Sequence, residues 1–326
     1  MAVTIELSAD DLAEIRFAFS PAWELVMSLF KAYRDPAKHA LHLPWVTETR
    51  RHLEGRDIGV LVDVTSTDGY VADFLTPPPD TPFPDIDEEL ERIVSTAPDQ
   101  VARELLEACE RDAPQPQVLR SLAQDPASWL PTLAEQMREY WKIAIEPHWP
   151  RIRALLEGDV MHRARQLALG GADLLFSDLH PSISYADGVL TIDKHLEERV
   201  RPDGRGLLMI PAVFDWPGIA LMMSKGYQPT LSYSPRGIAN LWGSEAAPTD
   251  GAMDELIGGT RADILRALEV PMTTTEIAER LHLTPAAVSQ QLGLLRRAGV
   301  VDAHRQGRGV YSALTPQGRQ LLELLG

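Results

Sequence analysis

The stretch Thr284–Val301, TPAAVSQQLGLLRRAGVV, sets a helix start, two glutamines, two arginines and a helix stop within eighteen residues. Thr284 suits an N-cap, and Pro285 suits the first helical position, where the amide that proline lacks has no intrahelical partner anyway. Val288, Leu292 and Leu295 follow at spacings of four and three, which places them on one buried face. The opposite face is left with Ala286, Ser289, Gln290, Gly293, Arg296 and Arg297. Gly299 is placed to end the helix.

Upstream, TTTEIAERLHL carries Thr273 three residues before Glu276, the spacing of a capping box, followed by apolar Ile277, Ala278 and Leu281. This predicts a second, shorter helix, with His282 and Leu283 as a tight connection. A further helix is predicted over Glu255–Leu268, despite the Gly258–Gly259 pair. Two short helices joined by a few residues form the helix-turn-helix arrangement that lays its second helix in the major groove of DNA. The outward side chains suit that groove: Gln bonds bidentately to adenine, Ser pairs with several bases, and an Ala methyl touches thymine. Ala286 and Ala287 permit close approach.

After Gly299 the chain reads VVDAHRQGRGVYSALT, two apolar runs around a basic, glycine-containing centre. This predicts a hairpin wing that sets Arg305 and Arg308 against phosphate or into a narrow minor groove. From Thr284 to Ser312 there are four Arg against one Asp.

That local excess stands out because the chain is acidic, with a formal charge of −16 over 326 residues. From Asp254 onward Lys+Arg and Asp+Glu balance at 8 each, whereas the preceding 253 residues hold 23 against 39. An acidic body repels nucleic acid and anionic membranes, so any polyanion contact must be local. The length predicts two domains. At 44% hydrophobic and 24% charged residues, the chain is composed to fold. The single cysteine, Cys109, excludes an internal disulfide and a multi-cysteine metal site, and fits a reducing cytoplasm. The start, MAVTIELSADDLAEIRFAF, has neither a basic leader nor a long apolar core, so no signal peptide is expected. GLLMIPAVFDWPGIALMM (Gly206–Met223) is broken by Pro211, Asp215 and Pro217, which predicts two buried segments around a turn and no membrane span.

The expected fold class is α+β: a mainly helical N-terminal domain with a small sheet, then a C-terminal winged helix-turn-helix. The boundaries read as 1–243 for the first domain, 244–253 for the linker and 254–326 for the second. Within the first, helices are expected from Ser8 to about residue 170, in segments such as DLAEIRFAFS, with Leu12, Ile15 and Phe19 on one face. TPPPDTPFPD (Thr76–Asp85) is a loop. Short strands are expected at about 183–235. SEAAPTDGAM (Ser244–Met253) has linker composition.

The segment TTTEIAERLHLTPAAVSQQLGLLRRAGVVDAHRQGRGVYSALT resembles the winged helix-turn-helix of the bacterial ArsR family of transcriptional repressors, over about 70 residues. The resemblance implies base reading by Thr284, Ala286, Ser289 and Gln290, with Gln291, Arg297 and the wing arginines on the DNA backbone; Pro285 and Arg296 complete the candidate interface. The order of a long N-terminal domain, carrying FSPAWELVMSLF and HALHLPW, before a winged helix is similar to a bacterial subgroup of ArsR-like regulators. The family's paired-cysteine metalloid site is absent, so no metal or cofactor is expected.

The resulting expectation is a cytoplasmic regulator without enzymatic activity. It would be a homodimeric repressor on a pseudo-palindromic operator in double-stranded DNA, responsive to a small organic effector. The alternative is a winged-helix protein-interaction module attached to a catalytic N-terminal domain. No phosphate-binding glycine loop, nucleophile elbow or H-E-x-x-H supports catalysis. His39 and His42 have ligand spacing but no third ligand nearby. The aromatics Trp23, Trp45, Trp129, Tyr140, Trp141, Trp149, Phe214 and Trp216 suit a core as well as an effector pocket.

Overall fold

The computed structural model describes residues 2–67, 69–111, 115–194, 197–242, 252–268, 270–306 and 309–325. The chain divides into two compact units, Met1–Trp242 and Gly243–Gly326. The class is α+β, helices with small sheets followed by a helix-turn-helix.

Four helices of the first unit begin at prolines. Pro21, Pro98, Pro116 and Pro126 each open one, in Pro21–Met27, Pro98–Glu110, Pro116–Leu122 and Pro126–Tyr140. Proline's fixed φ suits the first turn, and its missing amide is lost there at no cost. These helices and Leu43–Leu53, Gly59–Thr65 and Ile86–Val94 close over one core, in which Trp23, Trp45, Phe74 and Tyr140 are almost fully buried.

The strands of this unit are, in chain order, β1 (Ala2–Glu6), β2 (Arg16–Phe17), β3 (Ile183–Ala186), β4 (Val189–Asp193), β5 (Glu198–Val200), β6 (Leu208–Pro211), β7 (Ile219–Met222) and β8 (Thr230–Tyr233). They form two four-stranded sheets, ordered β3-β4-β1-β5 and β2-β6-β8-β7. In the first, β1 runs antiparallel to β4, with Ile5 opposite Leu190, and parallel to β5. A second core lies on these sheets, where Val3, Ile5, Leu190, Ile192 and Leu231 meet Leu175 and Phe176.

Two expectations for this unit are corrected. The single sheet at about 183–235 is two sheets, each completed by an N-terminal strand. Helix does not run on from Ser8, because the helix Ala9–Ala13 is one short turn with a Ser8–Asp11 capping box, followed by β2. Leu12, Ile15 and Phe19 therefore sit in separate segments. Alternation decides β1: Val3, Ile5 and Leu7 are buried, while Thr4 and Glu6 are half-buried. At the other end, the helical region continues past residue 170. The long helix Trp149–Phe176 carries a kink at Gly171, whose φ of 62° and ψ of −155° are not helical.

Buried carboxyl groups fasten the crossover after β6 to the helix Pro21–Met27. Glu24 accepts from the Val213 amide (2.7 Å) and the Phe214 amide (3.2 Å), and burial pushes its carboxyl up to about 8. Asp215 accepts from the Trp23 indole (3.2 Å), the Ser232 hydroxyl and the Lys31 ammonium.

The second unit opens with Ala252–Ile257 and Gly259–Ala267, two helices where one was expected over Glu255–Leu268. Gly258 separates them, with φ 84° and ψ 135° outside the helical region. The expected linker overlaps this start, since Ala252 and Met253 are helical; residues 244–251 of it lie outside the described residues. The supporting helix Thr274–Arg280, the helix Pro285–Arg297 (the reading helix, after the role expected of it from the sequence) and Pro316–Leu325 complete the described helices. The strands β9 (Met272–Thr273), β10 (Val301–Gln306) and β11 (Gly309–Leu314) form an antiparallel sheet ordered β10-β11-β9. Ile264, Leu265, Leu268, Ile277, Val288, Leu292, Leu295 and Val301 share its core.

Candidate nucleic-acid interface

The two helices of the motif are set by their caps. Thr273 and Glu276 bond reciprocally: the Thr273 hydroxyl accepts from the Glu276 amide (3.3 Å), and Glu276 accepts from the Thr273 amide (2.7 Å). Those bonds hold the Glu276 carboxyl below its ordinary range. The turn between the helices holds His282 at φ 55°, a left-handed position that histidine adopts more often than most residues other than glycine. Thr284 then caps the reading helix by accepting from the Ala287 amide (3.2 Å). Gly299, at φ 74°, leads the chain out of that helix toward β10.

Burial orients the reading helix. Val288, Leu292 and Leu295 are 0–4% exposed, and burying side chains of this size contributes about 1.5–3 kcal/mol each. With that face fixed inward, Thr284, Pro285, Ala286, Ser289, Gln290, Arg296 and Arg297 are exposed. The structure thus brings together on one surface a hydroxyl pair, an amide, a methyl and two guanidinium groups.

Two of the candidates also have partners inside the unit. Gln291 is half-buried and accepts from Arg261 at 3.4 Å, which draws its amide toward the helix Gly259–Ala267. Arg296 donates to the Ser312 hydroxyl on β11 at 2.8 Å. In the wing, Arg305 is exposed on β10 opposite Val310, while Arg308 and Gly307 lie outside the described residues. Sequence reasoning missed Arg261, which has no periodic signature, and missed β9. The latter hides within the capping segment, since Thr273 both caps the supporting helix and pairs with Tyr311.

In the N-terminal unit, a half-open pocket of about 480 Å³ is lined by acidic Asp73, Glu104 and Glu107, basic Arg103 and Lys225, and Gln100, Ser224, Gly226 and Tyr227. Burial pushes the Asp73 carboxyl up to about 6. Glu104 accepts from the Gln100 amide (3.0 Å) and the Tyr227 hydroxyl (2.9 Å). Of the aromatics that suit a core as well as a pocket, Trp45 and Phe214 pack with His42 and Trp242 in one cluster. His42 is fully buried, its Nδ1 accepting from the Trp242 indole at 2.9 Å, whereas His39 Nδ1 lies 2.9 Å from the Asp35 carbonyl. The two histidines are thus engaged separately. Among the described residues, no group of three or more His, Cys, Asp or Glu side chains is placed to hold a metal ion, and no helix is long and apolar enough to cross a membrane.

The fold and this surface define a chain with a C-terminal helix-turn-helix domain. Residues 257–303 match a helix-turn-helix domain model, and residues 92–237 match a family of unknown function (DUF5937). No curated protein and no solved structure matches the chain.

Proposed function

We propose that this protein is a sequence-specific DNA-binding transcriptional regulator rather than an enzyme. The observation that carries this reading is the capped helix Pro285–Arg297: one face is sealed in the core, and Ala286, Ser289, Gln290 and Arg297 stand exposed on the rest. Gln290 and Ser289 supply donors and acceptors for base edges, and Arg297 and Arg305 supply charge for phosphate. The acidic remainder of the chain adds no attraction, so the affinity is concentrated on this surface. The ArsR-type resemblance supports repression by a homodimer on a pseudo-palindromic operator, because a two-fold protein matches a two-fold site. The cavity beside Asp73 and Glu104 supports an effector-sensing role for the N-terminal unit.

Footprinting on the DNA that flanks the protein's own gene tests this. A protected pair of half-sites, whose occupancy changes when a metabolite extract is added, is the expected result. Uniform cleavage at all protein concentrations contradicts it.

A further inference from the structure

The long helix Trp149–Phe176 leaves one face uncovered in the turns before its kink at Gly171. Met161 is 72% exposed and Leu169 is 71% exposed. Residues four apart form a ridge along a helix, and here the ridge is Glu157–Met161–Arg165–Leu169. The groove on one side of it is floored by Ala154 and Gly158, and the groove on the other by Ala164 and Ala168; all four are exposed. A Cβ on Gly158 would meet nothing within 4 Å, so the floor is open to close approach.

Between Ala154 and Ala168 this face is complementary to itself, while beyond it Leu169 mirrors Arg153. About Met161, Glu157 mirrors Arg165, Gly158 mirrors Ala164, and Ala154 mirrors Ala168. A carboxylate thus stands one turn before Met161 on the ridge and a guanidinium one turn after it, with Leu169 a further turn on. Laying a second copy antiparallel places each Glu157 beside the other copy's Arg165, while each ridge settles into a groove of small residues. A parallel arrangement would set like charges together. Interdigitating ridges of this four-apart kind is the commonest helix packing in globular proteins, at a crossing near −50°. An interface in which residue i meets j and j meets i is what a two-fold dimer requires.

We propose that this face is a self-complementary homodimer interface, with Met161 on the two-fold axis and the Glu157–Arg165 pair formed twice across it. Glu157 is held at present by Arg153 (2.8 Å) at the surface, a pairing that solvent-exposed groups exchange readily. The strip from Ala154 to Ala168 spans only about 21 Å at 1.5 Å per residue. A contact limited to one helix face is expected to be weak and to dissociate on dilution. The proposal deepens the dimeric reading given above and rests on that reading only for its regulatory meaning.

Sedimentation equilibrium of the full chain from 1 to 100 µM tests it. The wild type is expected to pass from the 36.1 kDa monomer to twice that mass. Glu157→Arg and Arg165→Glu should each raise the dissociation constant at least tenfold. The double charge swap should bring it back to within threefold of wild type. Unchanged thermal unfolding of these surface variants confirms that each is folded. A wild type that stays monomeric at 100 µM, or a dimer indifferent to both single variants, overturns the proposal. So does a monomer whose Met161 resists peroxide oxidation, since another part of the same chain then covers the face. Duplex binding measured on the same samples separates the two claims: DNA retained by a monomer defeats the interface alone, and a swap-sensitive dimer that retains no duplex defeats the DNA reading alone.

Discussion

Arg296 and Ser312 join the reading helix to the wing: the guanidinium Nη2 donates to the Ser312 hydroxyl across 2.8 Å, and Ser312 is fully buried on β11. The bond couples the C-terminal end of the helix to the strand that carries the wing. Ser312→Ala should cost about 0.5–1.5 kcal/mol, the net worth of one such hydrogen bond. Hydrogen exchange of the β11 amides should speed up accordingly, and unchanged protection there would show that the bond does not hold the wing.

Base reading and phosphate contact separate by variant. Gln290→Ala should lose about 1–3 kcal/mol of discrimination at its own base pair and little affinity for unrelated sequence. Arg305→Ala should weaken all duplexes alike and reduce the slope of log K against log salt by about 1. Fluorescence anisotropy on matched and scrambled duplexes over a salt series measures both. Equal effects of the two variants on the two duplexes would contradict the division.

The capping box is the simplest local test of the motif. Thr273→Ala removes the acceptor for the Glu276 amide and should cost on the order of 1 kcal/mol, within a range of about 0.5–2. The loss should appear as faster exchange in Thr274–Arg280, with the N-terminal unit unaffected. Equal loosening of both units would point to a different role for Thr273.

In the first unit, Asp215→Ala strips three partners from one site: the Trp23 indole, the Ser232 hydroxyl and the Lys31 ammonium. Breaking a buried pair from one side leaves a charge uncompensated and typically costs about 3–5 kcal/mol. A fall in the urea midpoint of that size at constant slope is the expected result. A change under about 1 kcal/mol would mean that the site is wetter than the structure shows.

Buried acids set the pH dependence. Glu89, whose Oε2 accepts from the Ala22 amide at 2.8 Å, is pushed by burial from an ordinary 4.5 up to about 7. Its folded-state pKa is raised, so its contribution to stability is full below about 4.5 and is lost as pH climbs through 7. His42 runs the other way: burial lowers its imidazole from 6.5 to about 4, so its contribution is present above 6.5 and is lost as pH falls through 4. Glu89→Gln keeps a carbonyl acceptor for Ala22 and removes the charge. The Tm of wild type should therefore fall relative to this variant between pH 5 and pH 8. Parallel Tm curves would contradict that assignment.

How much of this was legible in the sequence depends on range. The caps Thr273 and Thr284, the buried stripe Val288–Leu292–Leu295 and the exposed Ser289 and Gln290 follow from spacing alone, because a helix at 3.6 residues per turn encodes its own faces. The N-terminal strands did not follow. Ala2–Glu6 carries the local alternation of Val3, Ile5 and Leu7 but is completed as a strand by pairing with Val189–Asp193, nearly two hundred residues away, and Arg16–Phe17 is strand because it pairs with β6. Long-range pairing of that kind leaves no local mark in a run as short as two residues. The Gly258–Gly259 pair weakens a helix by composition, but the break at Gly258 depends on a backbone angle that the sequence does not display. The ties of Arg296 to Ser312 and of Gln291 to Arg261 likewise depend on which side chains the tertiary packing brings together.

Enrichment of the full-length protein's targets from a random duplex pool at about 0.15 M salt tests the central claim most directly. A single two-fold motif should emerge for the wild type, and the pool selected with Gln290→Ala should lose preference at one position in each half-site. Failure of the wild type to enrich any sequence, with no salt-sensitive retention of duplex DNA, would contradict the account.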